Sequence, residues 1–235
     1  MNPLTSKYRS ELNERAARAN RENFDAAGVT SFTVVGPAGS GKTSIIEALL
    51  LRLAPPLRSA VIMANLAADR QISRIMRHGY QTVPIKADTL AASHIRDVLP
   101  QLNLPDLDIL FIEVDGNSVS PVEFDLGHHY RIGVFSAAGG DDKANEFPRL
   151  VAKSDLVLLT KIDLLPFVHF DSRVFAEDIA RIKPDLPVLQ LSVQSGEGFG
   201  QLREWVRARI AASAATRAGE YRPPGELFTE IKHFR

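Results

Sequence analysis

One glycine-rich stretch, VVGPAGSGKT at residues 34–43, constrains this chain more than any other feature. It holds the full pattern G-x-x-x-x-G-K-[ST] between an apolar run and a segment of helical periodicity, the context that pattern requires. Glycines let backbone N–H groups turn inward around phosphates, and the N-terminus of the following helix adds partial positive charge. The stretch predicts a nucleoside triphosphate site formed by Gly36, Pro37, Ala38, Gly39, Ser40, Gly41, Lys42, Thr43 and Ser44.

Two residues of this loop are expected to take part in chemistry. Lys42 is predicted to reach the β- and γ-phosphates as a catalytic residue, and the hydroxyl of Thr43 is predicted to ligate Mg²⁺. The alternative is a glycine-rich turn with a chance lysine. The agreement of strand, loop and helix in one register disfavours that alternative.

Seven short apolar runs, rich in Val, Ile and Leu, predict strands that are covered on both faces. Helical stretches separate them, among them 42–53 and 199–213, and a first helix is expected over 5–27. This alternation predicts an α/β fold, a P-loop NTPase three-layer α/β/α sandwich with a mostly parallel sheet. The predicted strands are 31–36, 59–65, 81–86, 108–114, 131–137, 155–161 and 187–192.

The predicted organisation is an N-terminal helical extension over 1–30, a P-loop nucleotide-binding domain over 31–213 and a C-terminal tail over 214–235. Acidic and basic residues number 28 each, so the chain lacks the global positive field that binding nucleic acid favours. There is no cysteine, no signal-like N-terminus and no apolar run long enough for a bilayer. We therefore expect a cytoplasmic protein with neither nucleic-acid nor membrane partners.

A second motif selects the base. The run 155–161 ends in Thr160, Lys161, Ile162 and Asp163, which fits the guanine pattern [NT]-K-x-D. A carboxylate at the last position accepts hydrogen bonds from guanine N1–H and the 2-amino group, a pair that adenine does not offer. The stretch LSVQSGEG then fits a further base-binding loop through Ser192 and Val193. A K-x-D tripeptide alone is common at strand ends, so this interpretation depends on the order of the motifs along the chain.

The run 108–114 is expected to be the Walker B strand. Glu113 and Gly116 fit the form [DE]-x-x-G, in which the carboxylate holds Mg²⁺ and the glycine amide senses the γ-phosphate. His128 and His129 are adjacent on an extended segment, where side chains point in opposite directions, so a surface pair is expected rather than a metal site. The stretch GGDDK at 139–143 is expected to be a solvated turn, or a loop at the nucleotide edge.

These stretches together resemble the HypB family, the nickel-incorporation GTPases of hydrogenase maturation. The likeness runs from about residue 10 to 210 and is most specific in ILFIEVDGNSVSPVEFDLG and KIDLLPFVHFD. It implies a GTP-dependent metallochaperone of the SIMIBI class. It further implies a nucleotide-dependent homodimer that works with a client metalloenzyme or a second accessory protein.

The sequence departs from the family pattern at several positions. Asp88 and Thr89 stand where the family has a Cys-His pair, and Ser120 stands where it has a second cysteine, so the family's usual metal ligands are missing. Asn65 replaces the aspartate of the switch region. Asp69 is then the nearest carboxylate and becomes the candidate switch residue, both as a catalytic residue and as a metal ligand. The transition metal, if one is bound, stays undetermined.

The leading hypothesis is therefore a Mg²⁺-dependent GTPase, slow or partner-dependent, that assists maturation of a metalloenzyme. GTP would favour a closed dimer and hydrolysis to GDP would release it. The rival hypothesis is a nucleotide-dependent binding module with weak catalysis and no metal delivery, which Asn65 and the missing cysteines favour. A small-molecule kinase on the same loop is disfavoured by the K-I-D motif.

Overall fold

The computed structural model of the chain describes residues 3–53, 57–64, 69–87, 90–115 and 125–219. Seven strands form one sheet in the order β3-β2-β4-β1-β5-β6-β7. The strands are β1 Thr30–Gly36, β2 Ser59–Ala64, β3 Gln81–Ile85, β4 Ile109–Asp115, β5 Tyr130–Ser136, β6 Leu156–Thr160 and β7 Val188–Leu191. All seven predicted strands are confirmed to within a residue or two.

Helices separate most of the strands, as the α/β prediction required. They are α1 Pro3–Ala27, α2 Lys42–Leu53, α3 Asp69–Met76, α4 Ala92–Val98, α5 Lys143–Glu146, α6 Pro148–Lys153, α7 Ser172–Ile182 and α8 Phe199–Arg217. A 3-10 helix covers Ile162–Phe167, directly after β6. Helix α8 extends a turn beyond the predicted end at residue 213, and residues 220–235 of the predicted tail lie outside the described residues.

The sheet is parallel in each pair whose register is defined. β2 pairs with β3 and β4, and β6 pairs with β5 and β7. Parallel strands put their carboxyl ends at one edge, where open α/β sheets bind ligands. Thr160 is in register with Ser136 and with Leu191, so the loops that follow β5, β6 and β7 start side by side.

The chain divides into two compact units, Met1–Val34 with Leu53–Tyr130 and Val35–Arg52 with Arg131–Arg235. Each has its own aromatic packing. Phe32 lies 5.6 Å from Phe111 in the first unit, and Phe135 lies 5.6 Å from Phe175 in the second, measured between ring centroids. The predicted domain boundaries are a different division of the chain and stay a prediction. No helix among the described residues is long and apolar enough to cross a membrane.

Helix α1 buries a stripe that is partly polar. Asn13, Ala17, Asn20 and Phe24 recur at helical spacing and are at most 7% exposed, with Ala16 beside them. The two asparagines and the neighbouring charged residues bond to segments far along the chain. Helix α1 is therefore packed into the first unit along one face.

Candidate functional site

The glycine-rich stretch forms the turn between β1 and α2. Gly36 ends β1, and a Cβ atom at this position would stand 2.2 Å from the carbonyl oxygen of Val134 on β5. Only glycine allows that approach. Gly39 and Gly41 then adopt φ angles of +74° and +94°, which turn the chain back into α2.

Lys42 opens α2 and folds back over the loop. Its side chain is buried, and Nζ donates hydrogen bonds to the carbonyl oxygens of Gly36, at 2.8 Å, and Pro37, at 3.0 Å. Helix α2 has no acidic residue in its first turn, so the partial positive charge of its N-terminus is not offset there. A buried ammonium beside a helix N-terminus is an environment that favours a phosphate group. The hydroxyl-bearing Thr43 follows and is also buried.

The base motif is joined to the phosphate loop by one buried hydrogen bond. Thr160 Oγ1 donates to the carbonyl oxygen of Ser40 at 2.7 Å, and both residues are 2% exposed. Sequence reasoning placed these residues in two separate motifs and did not foresee the bond. The sequence feature that could have predicted this bond is the hydroxyl group of Thr160, at a position where a guanine motif allows Asn or Thr.

Lys161 adopts a left-handed conformation, with φ 57° and ψ 38°. A non-glycine residue in this region costs on the order of 1–2 kcal/mol, which surrounding contacts must offset. The turn directs the chain from β6 into the 3-10 helix that carries Asp163 on its first turn. Local strain of this kind clusters at ligand sites.

Asp163 is oriented by a hydrogen bond from Ser192, a contact that the sequence motifs did not predict. Ser192 Oγ accepts hydrogen bonds from the backbone N–H groups of Gln194 and Ser195, each at 3.1 Å, and donates its own proton to Asp163 Oδ1. Because a hydroxyl has one proton, the donor role of Ser192 toward Asp163 is fixed. The half-buried carboxylate keeps acceptor capacity for the two donors of a guanine edge. Val193, 40% exposed, lies at the turn that follows.

The other predicted site residues belong to the first unit or lie outside the described residues. Glu113 is buried on β4, at 3% exposure, and pairs in register with Met63 of β2. Asp69 is exposed at the first position of α3. Gly116 lies outside the described residues, as do Asn65, Asp88, Thr89 and Ser120. The roles predicted for these residues stay predictions.

The expectation of a surface histidine pair is wrong. The side chains of His128 and His129 are 9% and 11% exposed. His129 Nδ1 accepts from the backbone N–H of Ser31 at 3.0 Å, and Nε2 lies 3.1 Å from Asp25 Oδ1. The backbone N–H can only donate, which makes Nδ1 the acceptor and leaves the proton on Nε2. The ring therefore joins the end of α1 to β1, and its partners come from distant parts of the chain.

The stretch 139–143 is more than a solvated turn. Asp141 Oδ2 accepts from the backbone N–H of Asp171 at 2.8 Å, and Lys143 forms an ion pair with Glu146 at 2.6 Å. A cleft of about 680 Å³ opens beside this link, next to the 3-10 helix. Its lining is Asp141, Leu165, His169, Phe170, Asp171, Ser172, Arg173 and Gln190. Sequence reasoning did not find this cleft.

The loop, the helix N-terminus and the parallel sheet define a P-loop nucleotide-binding protein. A family model described as the nucleotide-binding domain of CobW, HypB and UreG matches residues 30–190. The chain belongs to this CobW/HypB/UreG family.

Individual relatives agree with this assignment. The chain is 37% identical over 203 residues to the probable hydrogenase maturation factor HypB of Methanocaldococcus jannaschii, covering 85% of this chain and 92% of that one. It is 34% identical over 205 residues to HypB of Escherichia coli, covering 86% and 71% of the two chains. The resemblance inferred from the motifs is thus confirmed.

Solved structures show the same fold. HypB of Archaeoglobus fulgidus matches with a TM-score of 0.79 at 28% identity, over 85% of this chain and 99% of that one. HypB of Helicobacter pylori, solved in complex with nickel, gives a TM-score of 0.79 at 24% identity, over 92% and 100%. These matches confirm the predicted fold class.

Proposed function

We propose that this chain binds Mg²⁺-GTP and hydrolyses it to GDP and phosphate, acting as an accessory factor in the maturation of a metalloenzyme. The observation that carries the nucleotide part is the buried hydrogen bond from Thr160 to Ser40, because it ties a guanine motif to a phosphate loop. The accessory role rests on the relatives, which are hydrogenase maturation factors.

The residues of the second unit supply binding and charge stabilisation. The ammonium of Lys42 and the N-terminus of α2 would neutralise charge on the β- and γ-phosphates as the phosphoryl group transfers to water. The carboxylate of Asp163 would accept from guanine, and the stem of Lys161 would cover the base plane. Backbone amides of the 36–44 loop need no reorganisation at the moment of reaction.

Mg²⁺, when bound, would neutralise charge on the β- and γ-phosphates. The buried hydroxyl of Thr43 and the buried carboxylate of Glu113 are hard oxygen donors of the kind that Mg²⁺ prefers. Asp69 is a further candidate for the switch carboxylate and metal ligand. These three assignments rest on their positions in the sequence motifs.

This chain lacks the residues that the family usually uses to bind a transition-metal cargo. The sequence contains no cysteine, and the described residues contain no group of three or more His, Asp or Glu side chains that could hold a metal ion. We therefore derive no metal-transfer step. The rival proposal, a nucleotide-dependent binding module with weak catalysis, is favoured by Asn65 in place of the switch aspartate.

Dimerisation is part of the proposal. Phe167 ends the 3-10 helix that carries Asp163, and it is 82% exposed, which is unusual for so large an apolar side chain. A second copy of the chain would remove it from water. Sedimentation of the protein with GDP and with a non-hydrolysable GTP analogue tests this, and a monomer under both conditions would exclude a nucleotide-dependent dimer.

Turnover of GTP by the purified chain with Mg²⁺ tests the enzyme proposal against the binding module. We expect GTP to be hydrolysed in preference to ATP, and Lys42→Ala to abolish the activity. Lys143→Ala is a matched control, because Lys143 pairs with Glu146 outside the phosphate loop. Binding of GTP without turnover would favour the binding module, and turnover unaffected by Lys42→Ala would exclude this site as its origin.

A further inference from the structure

Asn20 of α1 holds two segments that are far apart in sequence. The residue is fully buried, and its Nδ2 donates to the carbonyl oxygens of Ala92, at 2.8 Å, and Leu126, at 2.9 Å. An amide nitrogen carries two hydrogens, so both donors are used. The reversed orientation would place Oδ1 against both carbonyls, which fixes the direction of the amide.

Asn13 spans the same two segments two helical turns earlier. Its Oδ1 accepts from the backbone N–H of Ala92 at 2.9 Å, and its Nδ2 donates to the carbonyl oxygen of Asp125 at 2.7 Å. The residue is 7% exposed. Two side chains on one rigid helix therefore each contact residues 90–92 and residues 125–128. We call Asn13 and Asn20 the brace.

Other contacts serve only one of the two segments. Arg21 donates to Asp125 Oδ2 at 2.7 Å and to the carbonyl oxygen of His128 at 3.3 Å. His94 Nδ1 accepts from the backbone N–H of Ala91 at 3.1 Å. The chain thus contains its own controls, in which a comparable polar contact touches one segment alone.

The fit of segment 125–128 against α1 is close. Gly127 has a φ of +87°, and a Cβ atom there would stand 2.4 Å from the carbonyl oxygen of Ala17. Asp125 Oδ1 also accepts from the backbone N–H of Gly127 at 2.8 Å, which holds the turn in shape. The segment cannot shift along α1 without losing several contacts together.

We propose that the brace couples segments 90–92 and 125–128 into one body positioned by α1, and that Asn20 is thereby a positioning residue for GTP hydrolysis. The two buried Nδ2 donors of Asn20 specify a single geometry, and losing them removes these hydrogen bonds from the carbonyl oxygens of Ala92 and Leu126. Segment 125–128 follows β4, the strand of Glu113, along the chain. The second part of the proposal rests on the proposed function.

Hydrogen–deuterium exchange on the full chain tests the coupling. Asn20→Leu keeps the branched shape of the side chain and removes both donors, and we expect about tenfold faster exchange in peptides covering both segments. Asn13→Leu should show the same two-segment pattern with Asn20 intact, so the test survives if one variant fails to fold. Arg21→Ala should affect only 125–128, and His94→Ala only the peptide around residue 91.

The pattern of responses decides the outcome. If both brace variants change exchange in one segment only, the two segments are not coupled and the proposal fails. Exchange in β6 and β7 should stay unchanged, and a global increase there would mean that the variants unfold the chain instead.

GTP turnover tests the positioning role separately. We expect Asn20→Leu to lower kcat several-fold while KM for GTP stays within about twofold, because the phosphate loop and base motif are untouched. Coupled exchange with unchanged kcat would overturn the positioning role. Absence of turnover in the unsubstituted chain would count against the proposed function, and the exchange experiment would still decide on the coupling.

Discussion

The substitution Asp163→Asn should change which base the site accepts. Ser192 Oγ is filled by two backbone donors, from Gln194 and Ser195, so it must donate to residue 163. An asparagine there would keep its carbonyl oxygen on Ser192 and turn its NH₂ group toward the base. That group would face the N1–H and 2-amino donors of guanine. Xanthine carries a carbonyl oxygen at position 2 and would accept a hydrogen bond from it.

The magnitude follows from the bonds lost. A hydrogen bond to a charged group contributes about 1.5–3 kcal/mol, so two of them correspond to about 3–6 kcal/mol. At 1.4 kcal/mol for each factor of ten, GTP affinity should fall roughly 10²–10⁴-fold. Binding of XTP should rise above that of GTP in the same variant, while ATP should stay weak in both proteins.

Competition against a fluorescent guanine nucleotide, with GTP, XTP and ATP as competitors, measures these affinities. Asp171→Asn is the matched control, because Asp171 caps α7 through Arg173 N and Val174 N, and asparagine caps a helix about as well as aspartate. The control should bind as the unsubstituted chain does. If the Asp163→Asn variant still prefers GTP over XTP, the orientation that Ser192 gives to this side chain has been misread.

Three further changes test neighbouring parts of the structure. Thr160→Val leaves the Ser40 carbonyl without its buried donor, so the free energy of unfolding in urea should fall by about 1–3 kcal/mol and nucleotide affinity should also fall. If neither value changes, this hydrogen bond is dispensable. Lys161→Gly relieves backbone strain of about 1–2 kcal/mol but raises the conformational-entropy cost of folding by about 0.5–1 kcal/mol, so the free energy of unfolding should change little while GTP binding weakens. Equal GTP affinity would show that the lysine stem does not take part in base binding. Burial alone would raise the pKa of Asp125, but hydrogen bonds from Arg21 and from the backbone N–H of Gly127, with the charge of His128, hold this pKa below the usual value of an aspartate. A carboxyl group with a lowered folded-state pKa stabilises the fold above about pH 4 and loses that effect as the pH falls, so Asp125→Asn should flatten the acid limb of a stability–pH curve.

The strands and the phosphate loop could be predicted because their signals are local. The run 156–160 is buried at every residue, and an unbroken apolar sequence reports this directly. The turn at Gly36 can also be predicted from local sequence, because the motif specifies both the glycine and the helix that follows it. The base motif at 160–163 is equally local in its residue types and order, and its role in guanine binding stays a prediction.

The errors concern residues whose partners are distant in sequence. His129 was expected at the surface, yet it is held between Asp25 and Ser31, about a hundred residues earlier in the chain. Asn13 and Asn20 likewise make α1 look polar, although both are buried against backbone carbonyls. A periodicity argument counts asparagine as a solvent-facing residue. Periodicity along one helix carries no information about a distant segment that supplies the hydrogen-bond acceptors.

The described residues that are predicted to recognise the nucleotide and the positions that depart from the family pattern fall in different parts of the chain. Lys42, Thr160, Asp163 and Ser192 all belong to the second unit. The departures at residues 65, 88–89 and 120 all fall between residues 53 and 130 of the sequence. Loss of a charged switch residue or a metal ligand therefore does not by itself remove a residue that is predicted to bind guanine or phosphate. Nucleotide affinity should consequently be retained, while the rate of GTP turnover and the metal cargo differ from those of the family. A chain that bound GTP no better than ATP would contradict this separation.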